Sequence, residues 1–252
     1  MLSAERKIRI AEIVNRDGGI RTSQLSELFN VSEMTVLRDL AELERQGILT
    51  RVYGGAVSSR NFFSETPNVV REKIRITEKN KIASLAVQLI QDGNSIFLDG
   101  STTAHALAKR LDTFRDLKVV SIGLDTLNEL SGKEGIELIS PGGVLDKVTM
   151  NFLGRNAEES LKGLNADKAF ISTNGLSIKA GLTEPNPQQA YVKKIMLENS
   201  LQKVLLIDSS KFDEVALNRL CALEEMDTVI TDNRPNNEYY RFFKENNINI
   251  LY

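Results

Sequence analysis

Residues 32–40 read Ser-Glu-Met-Thr-Val-Leu-Arg-Asp-Leu, and this stretch decides the fold predicted for the first part of the chain. Ser32 is a good N-cap residue, so a short helix is expected to begin here. Val36 and Leu40 follow at a spacing of four residues, which predicts that one face of this helix packs against the rest of its domain. The side chains left on faces that a partner can reach are Met34, Thr35, Arg38 and Arg45.

Two further helices are predicted before this stretch. Apolar residues at helical spacing indicate a helix over about 3–16, and Thr22 can cap a second helix. The apolar face of the second helix is expected to consist of Leu25, Leu28 and Phe29. Two short helices joined by a tight turn are the arrangement with which many proteins enter the major groove of DNA.

A small hairpin is predicted after the third helix. Gly47 is expected to end that helix, and residues 48–57 are β-like with a turn at Gly54-Gly55. The sequence therefore predicts a winged helix-turn-helix over residues 1–57, with the helix-turn-helix proper at about 20–39. Small three-helix units also serve as protein-interaction modules, and the eight basic and eight acidic side chains of this region leave that alternative open.

Several motifs of this region carry a resemblance to a known family. They are Glu5-Arg6, residues 32–40, Glu42-Leu43-Glu44, Gly47-Ile48-Leu49 and residues 51–56. Together they resemble the N-terminal domain of the DeoR family of bacterial transcriptional regulators, which implies binding to double-stranded operator DNA. Two positions depart from the family, because Leu37 stands where an arginine is usual and Tyr53 where a histidine is common. The residues expected to contact DNA are Thr22, Ser32, Met34, Thr35, Arg38, Arg51 and Tyr53.

The composition fits two domains of a cytoplasmic protein. The 252 residues are 41% hydrophobic and 26% charged, which suffices for one small and one medium core. The longest apolar runs are only a few residues and the N-terminus has no signal-peptide core, so neither a membrane span nor a membrane partner is expected. The single cysteine, Cys221, suits a reducing compartment. With one histidine and one cysteine we expect no metal site, and nothing in the sequence calls for a cofactor.

From residue 77 onward, predicted helices and strands alternate. A connector over residues 58–76, expected to become helical after Pro67, precedes this region. The alternation predicts an α/β domain over residues 77–252 with a mainly parallel, helix-flanked, Rossmann-like sheet. Sheets of this kind bind ligands at the carboxyl ends of their strands.

Three predicted strand ends carry residues suited to a phosphate group. Residues 99–103, Asp-Gly-Ser-Thr-Thr, precede a helix, where a glycine lets a ligand approach the backbone and the hydroxyls and the helix N-terminus donate hydrogen bonds. Serine and threonine before a helix are also ordinary caps, and that alternative stays open. Pro141-Gly142-Gly143 and Asp208-Ser209-Ser210-Lys211 follow two other strands, so they are expected at the same edge of the sheet.

Motifs of the second domain extend the resemblance. They are residues 99–103, Gly142-Gly143, residues 166–170, Gly181-Leu182-Thr183, Val192-Lys193 and residues 208–212. They resemble the C-terminal sensor domain of the same family, which is similar in fold to ribose-5-phosphate isomerase. This implies a repressor of a carbohydrate-utilisation operon, controlled by a phosphorylated sugar or a related phosphometabolite. The effector-binding residues that the resemblance implies are Asp99, Gly100, Ser101, Thr102, Thr103, Gly142, Gly143, Lys193 and Lys211.

Two departures from the family pattern leave the identity of the sugar undetermined. Ser121-Ile122 stands where many members of the family have Thr-Asn after the strand. Glu184 lies in a stretch that varies with the ligand. Both departures concern the ligand and leave the class of protein unchanged.

The alternative from another class is a sugar-phosphate isomerase with an accessory helix-turn-helix domain. Isomerisation needs a positioned base and a group that stabilises the enediolate, and Asp99, Glu184 and Asp208 are candidate carboxylates. The sequence lacks the paired acidic cluster followed by Lys-Gly-Gly that such isomerases show, and His105 is expected to be a surface or packing residue. We therefore expect no catalytic residue. Operator binding implies a homo-oligomer, a dimer or a tetramer, because paired recognition helices read successive half-sites.

Overall fold

The chain divides into two compact units, Met1–Ile74 and Arg75–Tyr252. The computed structural model describes residues 2–17, 19–46, 48–58 and 67–252. The first unit combines helices with a small antiparallel sheet, and the second is built on a parallel sheet with helices. This is the fold class that the sequence predicts for the two parts of the chain.

The first unit has the helices and the hairpin of a winged helix-turn-helix. Its helices are α1 (Ser3–Asp17), α2 (Thr22–Phe29), α3 (Glu33–Arg45) and α4 (Asn68–Lys73). Its strands are β1 (Gly19–Arg21), β2 (Leu49–Val52) and β3 (Gly55–Ser58), which pair antiparallel in the order β1-β3-β2. The sequence does not predict β1, because three residues are too short to show a periodicity. Helix α4 starts directly after Pro67, as predicted.

Helix α3 begins where the sequence predicts. The Ser32 hydroxyl accepts a hydrogen bond from the Thr35 amide at 3.2 Å, which satisfies one of the N–H groups that the first helical turn leaves without a partner. The helix ends at Arg45. Gly47, which the sequence predicts as its terminator, lies outside the described residues.

Helix α2 begins one residue earlier than predicted. Arg21 occupies the N-cap position, and its amide donates to Gln24 Oε1 at 3.1 Å, while Thr22 is already helical. The prediction that Thr22 caps this helix is therefore wrong. The reason is strand β1, which carries extended backbone through Arg21 and ends as the Thr22 amide donates to the Gly54 carbonyl at 2.9 Å.

The core of the first unit joins its three long helices to the sheet. It contains Ile10, Val14, Leu25, Val36, Leu40, Leu43 and Leu49. Leu28, predicted on the apolar face of α2, is 60% exposed, so that prediction is wrong. Thr22, Leu25 and Phe29 face the core instead, and at 3.6 residues per turn Leu28 points about a quarter turn away from them.

The second unit contains a seven-stranded parallel sheet. Its strands are β4 (Ser95–Leu98), β5 (Leu117–Ser121), β6 (Ile136–Ile139), β9 (Ala166–Ile171), β12 (Ser200–Leu206), β14 (Thr228–Ile230) and β15 (Asn249–Leu251). Its helices are α5 (Ile76–Ala86), α6 (Thr102–Ala108), α7 (Leu124–Leu130), α8 (Arg155–Lys162), α9 (Pro187–Glu198) and α10 (Asn237–Glu245). Ile96 and Leu98 of β4 point into one hydrophobic cluster and Phe97 into another, so both faces of the sheet are covered, as parallel sheets require.

The strand order reverses its direction across the sheet between β4 and β9. The order is β15-β14-β12-β9-β4-β5-β6, so the chain runs outward from β4 in one direction and outward from β9 in the other. A crevice forms outside the carboxyl ends of the strands at such a reversal, and ligands of open α/β sheets bind there. The residues that follow β4 and β9 therefore lie at the position where a ligand site is expected.

Short antiparallel strands surround this crevice, and the sequence does not predict them. They are β7 (Val144–Asp146), β8 (Asn151–Leu153), β10 (Gly175–Ser177), β11 (Gly181–Glu184) and β13 (Asn218–Cys221). Strands β7 and β8 form a hairpin, and the others pair in the order β10-β11-β13. Strands of three or four residues beside glycines have no clear pattern, and their pairing is set by the rest of the fold.

Candidate DNA interface and effector site

Helix α3 presents an exposed face that contains several of the predicted DNA-contacting residues. Ser32 and Met34 are exposed and Thr35 is half-buried, with the two hydroxyls 2.9 Å apart. Arg38 is exposed, and among the residues that the structure describes its guanidinium has no hydrogen bond or ion pair. The structure therefore brings Ser32, Met34, Thr35 and Arg38 together on one helix.

Three of the four acidic side chains of α3, those of Asp39, Glu42 and Glu44, are paired within the unit. Arg6 Nε lies 2.6 Å from Asp39 Oδ2 in a buried ion pair, and Lys7 Nζ lies 2.8 Å from Glu42 Oε2. The hydrogen bond from Lys7 lowers the pKa of Glu42 and keeps it ionised. These pairs neutralise carboxylates that would otherwise repel DNA phosphates, and the charge of Arg38 is left available.

The other predicted DNA contacts lie in different environments. Tyr53 is fully exposed at the turn between β2 and β3. Arg51 is exposed but donates from Nε to Glu44 Oε2 at 2.7 Å, and its hydrogen bonds lower the pKa of Glu44. Thr22 is only 4% exposed, so the structure does not bring it to the exposed face of α3. Leu37, where the family usually has arginine, is 39% exposed on α3 and was not among the predicted contacts.

Asp99 joins the ends of the two central strands of the second unit. It is fully buried, and its Oδ1 accepts from the Ser101 amide at 3.0 Å. Its Oδ2 accepts from the Ser172 amide, which follows β9, at 2.9 Å. The carboxylate is thus fixed at the crevice that the strand order defines.

Lys193 brings a buried ammonium to the same place from helix α9. Its Nζ lies 2.5 Å from Glu184 Oε1 and 3.3 Å from Asp99 Oδ2, and it donates to the Ser172 carbonyl at 2.8 Å. All three charged side chains are more than nine-tenths buried. Such a group is held together by mutual compensation, because a buried charge without a partner is costly.

Lys211 contacts the same serine, Ser172, through its hydroxyl group rather than its carbonyl. Its Nζ lies 3.2 Å from Ser172 Oγ and 3.9 Å from Asp208 Oδ2. Burial alone would raise the pKa of Asp208, but Lys211, Ser210 and Arg75 outweigh it and the pKa is lowered. Asp208 is therefore an ionised partner of Lys211, and the predicted residues Lys193 and Lys211 converge on Ser172.

Of the two alternatives that the sequence leaves open for residues 101–103, the structure shows the helix cap. Ser101 Oγ accepts a hydrogen bond from the Ala104 amide at 3.1 Å, so this hydroxyl caps α6. Thr102 and Thr103 are the first two residues of α6, and both side chains are buried. The capping role is thus observed for Ser101.

Gly100 is required for a packing reason that the sequence did not reveal. A Cβ atom built on it would lie 1.6 Å from Asn151 Oδ1. Asn151, on β8, donates in turn to Gln189 Oε1 at 3.1 Å, and Gln189 donates to Thr149 Oγ1 at 2.7 Å. Sequence reasoning missed this polar chain because it missed the hairpin that carries Asn151.

The predicted glycine pair lies at the end of β6. Gly142 and Gly143 both have positive φ values, 69° and 116°, which favour glycine. A Cβ atom on Gly143 would lie 2.6 Å from the Leu153 carbonyl and 3.1 Å from Ala157 Cβ. The neighbours of Gly143 are therefore the β8–α8 connection rather than the Lys193 cluster.

Other chemistries find little support in the structure. Within the described ranges, no group of three or more His, Cys, Asp or Glu side chains is arranged to hold a metal ion. His105 is buried, with Nε2 3.9 Å from Glu129 Oε2, which is a packing position as predicted. Nor does any helix of the described residues have the length and apolar character needed to cross a membrane.

A winged helix with an exposed arginine and an α/β unit with a buried polar crevice define a DNA-binding regulator. The family models agree: a DeoR-like helix-turn-helix domain matches residues 6–62, and the DeoR C terminal sensor domain matches residues 74–233. The chain belongs to the DeoR family of transcriptional regulators. Membership of this family favours a regulator over the isomerase-like enzyme.

Curated relatives match over nearly the whole chain. The uncharacterized HTH-type transcriptional regulator YulB of Bacillus subtilis is 40% identical over 232 residues, which cover 92% of this chain and 90% of that protein. The lactose phosphotransferase system repressor of Staphylococcus epidermidis is 38% identical, with 91% and 92% covered. The HTH-type transcriptional repressor GlcR of Bacillus subtilis is 34% identical over 251 residues, with 100% and 96% covered.

Solved structures match only in part. Ribose 5-phosphate isomerase A from Methanocaldococcus jannaschii aligns with a TM-score of 0.39 and 20% identity over 53% of each chain. The eIF2B delta subunit from Chaetomium thermophilum aligns with a TM-score of 0.46 and 17% identity, covering 64% of this chain and 57% of that one. Likenesses this weak support no inference about activity.

Proposed function

We propose that this protein is a cytoplasmic repressor of a carbohydrate-utilisation operon, whose affinity for operator DNA changes when a phosphorylated sugar binds the second unit. The single observation that carries the DNA-binding half is the arrangement of charge on α3. Its acidic residues Asp39 and Glu42 are paired within the unit, and Arg38 remains exposed without a partner among the described residues. Repressors of sugar systems among the relatives support the regulatory half.

On the DNA side, α3 enters the major groove in this proposal. Arg38 donates to a guanine edge or a phosphate, and Met34 and Thr35 contact base edges. Ser32 lies near a phosphate at the helix N-terminus. Tyr53 contacts DNA from the hairpin. A homo-oligomer places two such helices on successive half-sites.

On the effector side, the ligand occupies the crevice between β4 and β9. Lys193 and Lys211 supply positive charge around Ser172, and residues 101–103 supply hydroxyl groups and backbone amides. The phosphorylated sugar must prefer one domain arrangement over another, and a coupling free energy of about 1–3 kcal/mol would change operator affinity by roughly 5- to 150-fold.

The test is a fluorescence-anisotropy titration with a labelled duplex from the protein's own upstream region. We expect specific binding that changes roughly 5- to 150-fold when a sugar phosphate is added. Arg38→Ala should lose about 1–3 kcal/mol of binding free energy, while Arg241→Ala, which removes an exposed arginine of α10, should lose none. Wild-type protein that ignores this duplex at low salt, with and without sugar phosphates, would show the proposal to be wrong.

A further inference from the structure

Two buried acceptor atoms beside the crevice have no hydrogen-bond partner among the residues that the structure describes. They are Asn151 Oδ1 and Glu184 Oε2, and both side chains are at least 98% buried. Leaving a buried acceptor unpaired costs about 1–3 kcal/mol, so folded proteins rarely tolerate it without a reason. The two atoms therefore call for separate explanations.

Packing explains the first atom. Asn151 Oδ1 lies directly against Gly100, at the place where any other residue would carry Cβ. The amide nitrogen of the same side chain is bound to Gln189. Asn151 thus fills the space between the loop after β4 and helix α9, and its oxygen faces backbone rather than open space.

No such contact explains Glu184 Oε2. The other oxygen, Oε1, is 2.5 Å from Lys193 Nζ, so only one of the two carboxyl oxygens has a partner among the described residues. The backbone of this residue is also fixed, because Asn218 Nδ2 donates to the carbonyls of Glu184 and Pro185 at 3.2 and 2.7 Å. The free oxygen is held in one orientation before any ligand arrives, which reduces the entropy cost of binding.

Asp99, the second carboxylate of the cluster, differs in this respect. Its two oxygens accept from the amides of Ser101 and Ser172, in addition to the contact with Lys193. One ammonium group, that of Lys193, serves two carboxyl groups, and Glu184 Oε2 is the oxygen that lacks a donor. A phosphate would be repelled at this atom. A hydroxyl or amino hydrogen would satisfy it.

We propose that Glu184 is a specificity-determining residue of the effector site, and that its Oε2 accepts a hydrogen bond from a hydroxyl or amino group on the sugar part of the ligand. The inference rests on the proposed function, since it requires a phosphorylated sugar in this crevice. Lys193 acts as a positioning residue that orients Glu184 through Oε1. The phosphate end of the ligand lies away from Glu184.

The experiment is isothermal titration calorimetry on the full-length chain with defined probes. The first set is glucose 6-phosphate, galactose 6-phosphate, glucosamine 6-phosphate and inorganic phosphate. The second set takes the hexose phosphate that binds best and replaces each free hydroxyl in turn by fluorine, which cannot donate a hydrogen bond. We expect one analogue to lose about 10- to 100-fold in affinity for the wild-type protein, because it leaves a buried carboxylate oxygen unpaired.

Two variants assign that loss to Glu184. Glu184→Gln should bind the parent sugar more weakly and should bind the parent and the critical analogue within about threefold of each other, since Lys193 holds the amide oxygen at the Oε1 position and an NH2 group replaces the acceptor Oε2. Glu198→Gln, which changes an exposed carboxylate at the end of helix α9, should keep the wild-type ranking of the analogues. Inorganic phosphate should bind the wild type and Glu184→Gln equally. If Glu184→Gln melts below the assay temperature, Glu184→Met replaces it with the same expected ranking, because methionine is similar in shape and has no oxygen acceptor.

The outcomes separate this inference from the proposed function. If Glu184→Gln keeps the full wild-type discrimination against the analogues, Glu184 does not read the sugar, while sugar-phosphate sensing stands. If the variant loses binding of inorganic phosphate as well, Glu184 acts on the phosphate end or on the fold, and the inference is wrong. If none of the sugar phosphates binds the wild type, both the sensing half of the proposed function and the inference fall.

Discussion

Helices α3 and α9 distribute their charged side chains in opposite ways. Helix α3 directs one acidic residue inward, where Asp39 is buried against Arg6, and leaves Arg38 exposed to solvent. Helix α9 directs a lysine inward, where Lys193 lies between buried carboxylates, while the adjacent Lys194 is on the outside. Arg38 of α3 is thus accessible to an external partner, whereas Lys193 of α9 forms ion pairs in the interior of its unit.

The two arrangements suit ligands of different size. Duplex DNA is a large polyanion that binds across a surface, so an exposed cation can neutralise a phosphate and release a counterion without being desolvated beforehand. A small ligand is instead enclosed by a few fixed polar groups, whose own burial must be balanced within the protein. The comparison predicts that substitutions on the exposed face of α3 change DNA binding alone. Substitutions of inward residues on α9 are expected to change both ligand binding and the free energy of unfolding.

The largest expected effect is that of Lys193→Met. The variant leaves Asp99 and Glu184 buried without their ammonium partner, and breaking a buried ion pair from one side typically costs about 3–5 kcal/mol. We expect a loss of this size in the free energy of unfolding, measured by urea titration. The matched control is Lys194→Met, which removes an exposed lysine 3.8 Å from Glu198 and should cost less than about 0.5 kcal/mol. Equal losses in the two variants would remove the distinction between the inward and outward faces of α9.

A smaller loss is expected for Gly100→Ala. The new Cβ would overlap Asn151 Oδ1, and overpacking of this kind costs about 1–3 kcal/mol. Gly132→Ala is the control, because nothing lies within 4 Å of the corresponding Cβ position there. The same urea titrations measure both. In an Asn151→Ala background the cost of Gly100→Ala should fall, and an unchanged cost would contradict the packing explanation.

Local patterns were enough to predict the framework of both units. The cap at Ser32 and the buried strand β4 depend on residues close together in sequence, and the structure has both. The alternation of helices and strands predicts that Asp99 and Lys211 lie at one edge of the sheet, whereas Lys193, on α9, follows only from the family resemblance. The structure brings all three side chains to Ser172.

Features set by distant residues were missed. Asn151 meets Gly100 through a hairpin whose strands are too short to show a pattern. Thr22 and Leu28 were misjudged because strand β1 fixes where α2 begins and which face it buries. The sequence marks Glu184 as a position that varies with the ligand and as a candidate carboxylate of an isomerase, but its oxygen without a partner is visible only once Lys193 is placed against it.

The ion pair of Asp208 with Lys211 predicts a pH dependence of stability. The folded-state pKa of Asp208 is lowered, so it lies below the unfolded value of about 3.9. The ionised carboxylate therefore contributes its full stabilisation above about pH 4, and the contribution is lost as the pH falls through the folded value. In urea titrations between pH 3 and pH 7, the stability difference between wild type and Asp208→Asn should be constant at the upper end and shrink at the lower end. A difference that grows toward low pH would contradict the assignment.

The smallest expected effect concerns Arg51, which lies between the two extremes because it is exposed yet paired with Glu44. A guanidinium has five N–H donors and this pair uses one of them, so Arg51 can hold Glu44 and still contact a DNA phosphate. Arg51→Ala should then weaken operator binding about equally for all sequences and reduce the slope of log affinity against log salt by about 1. Glu44→Gln keeps the arginine and should leave the slope unchanged. If both variants weaken binding to the same extent, the Arg51–Glu44 pair acts by holding the hairpin in place. Exposure of an arginine side chain would then not be sufficient to identify a DNA contact.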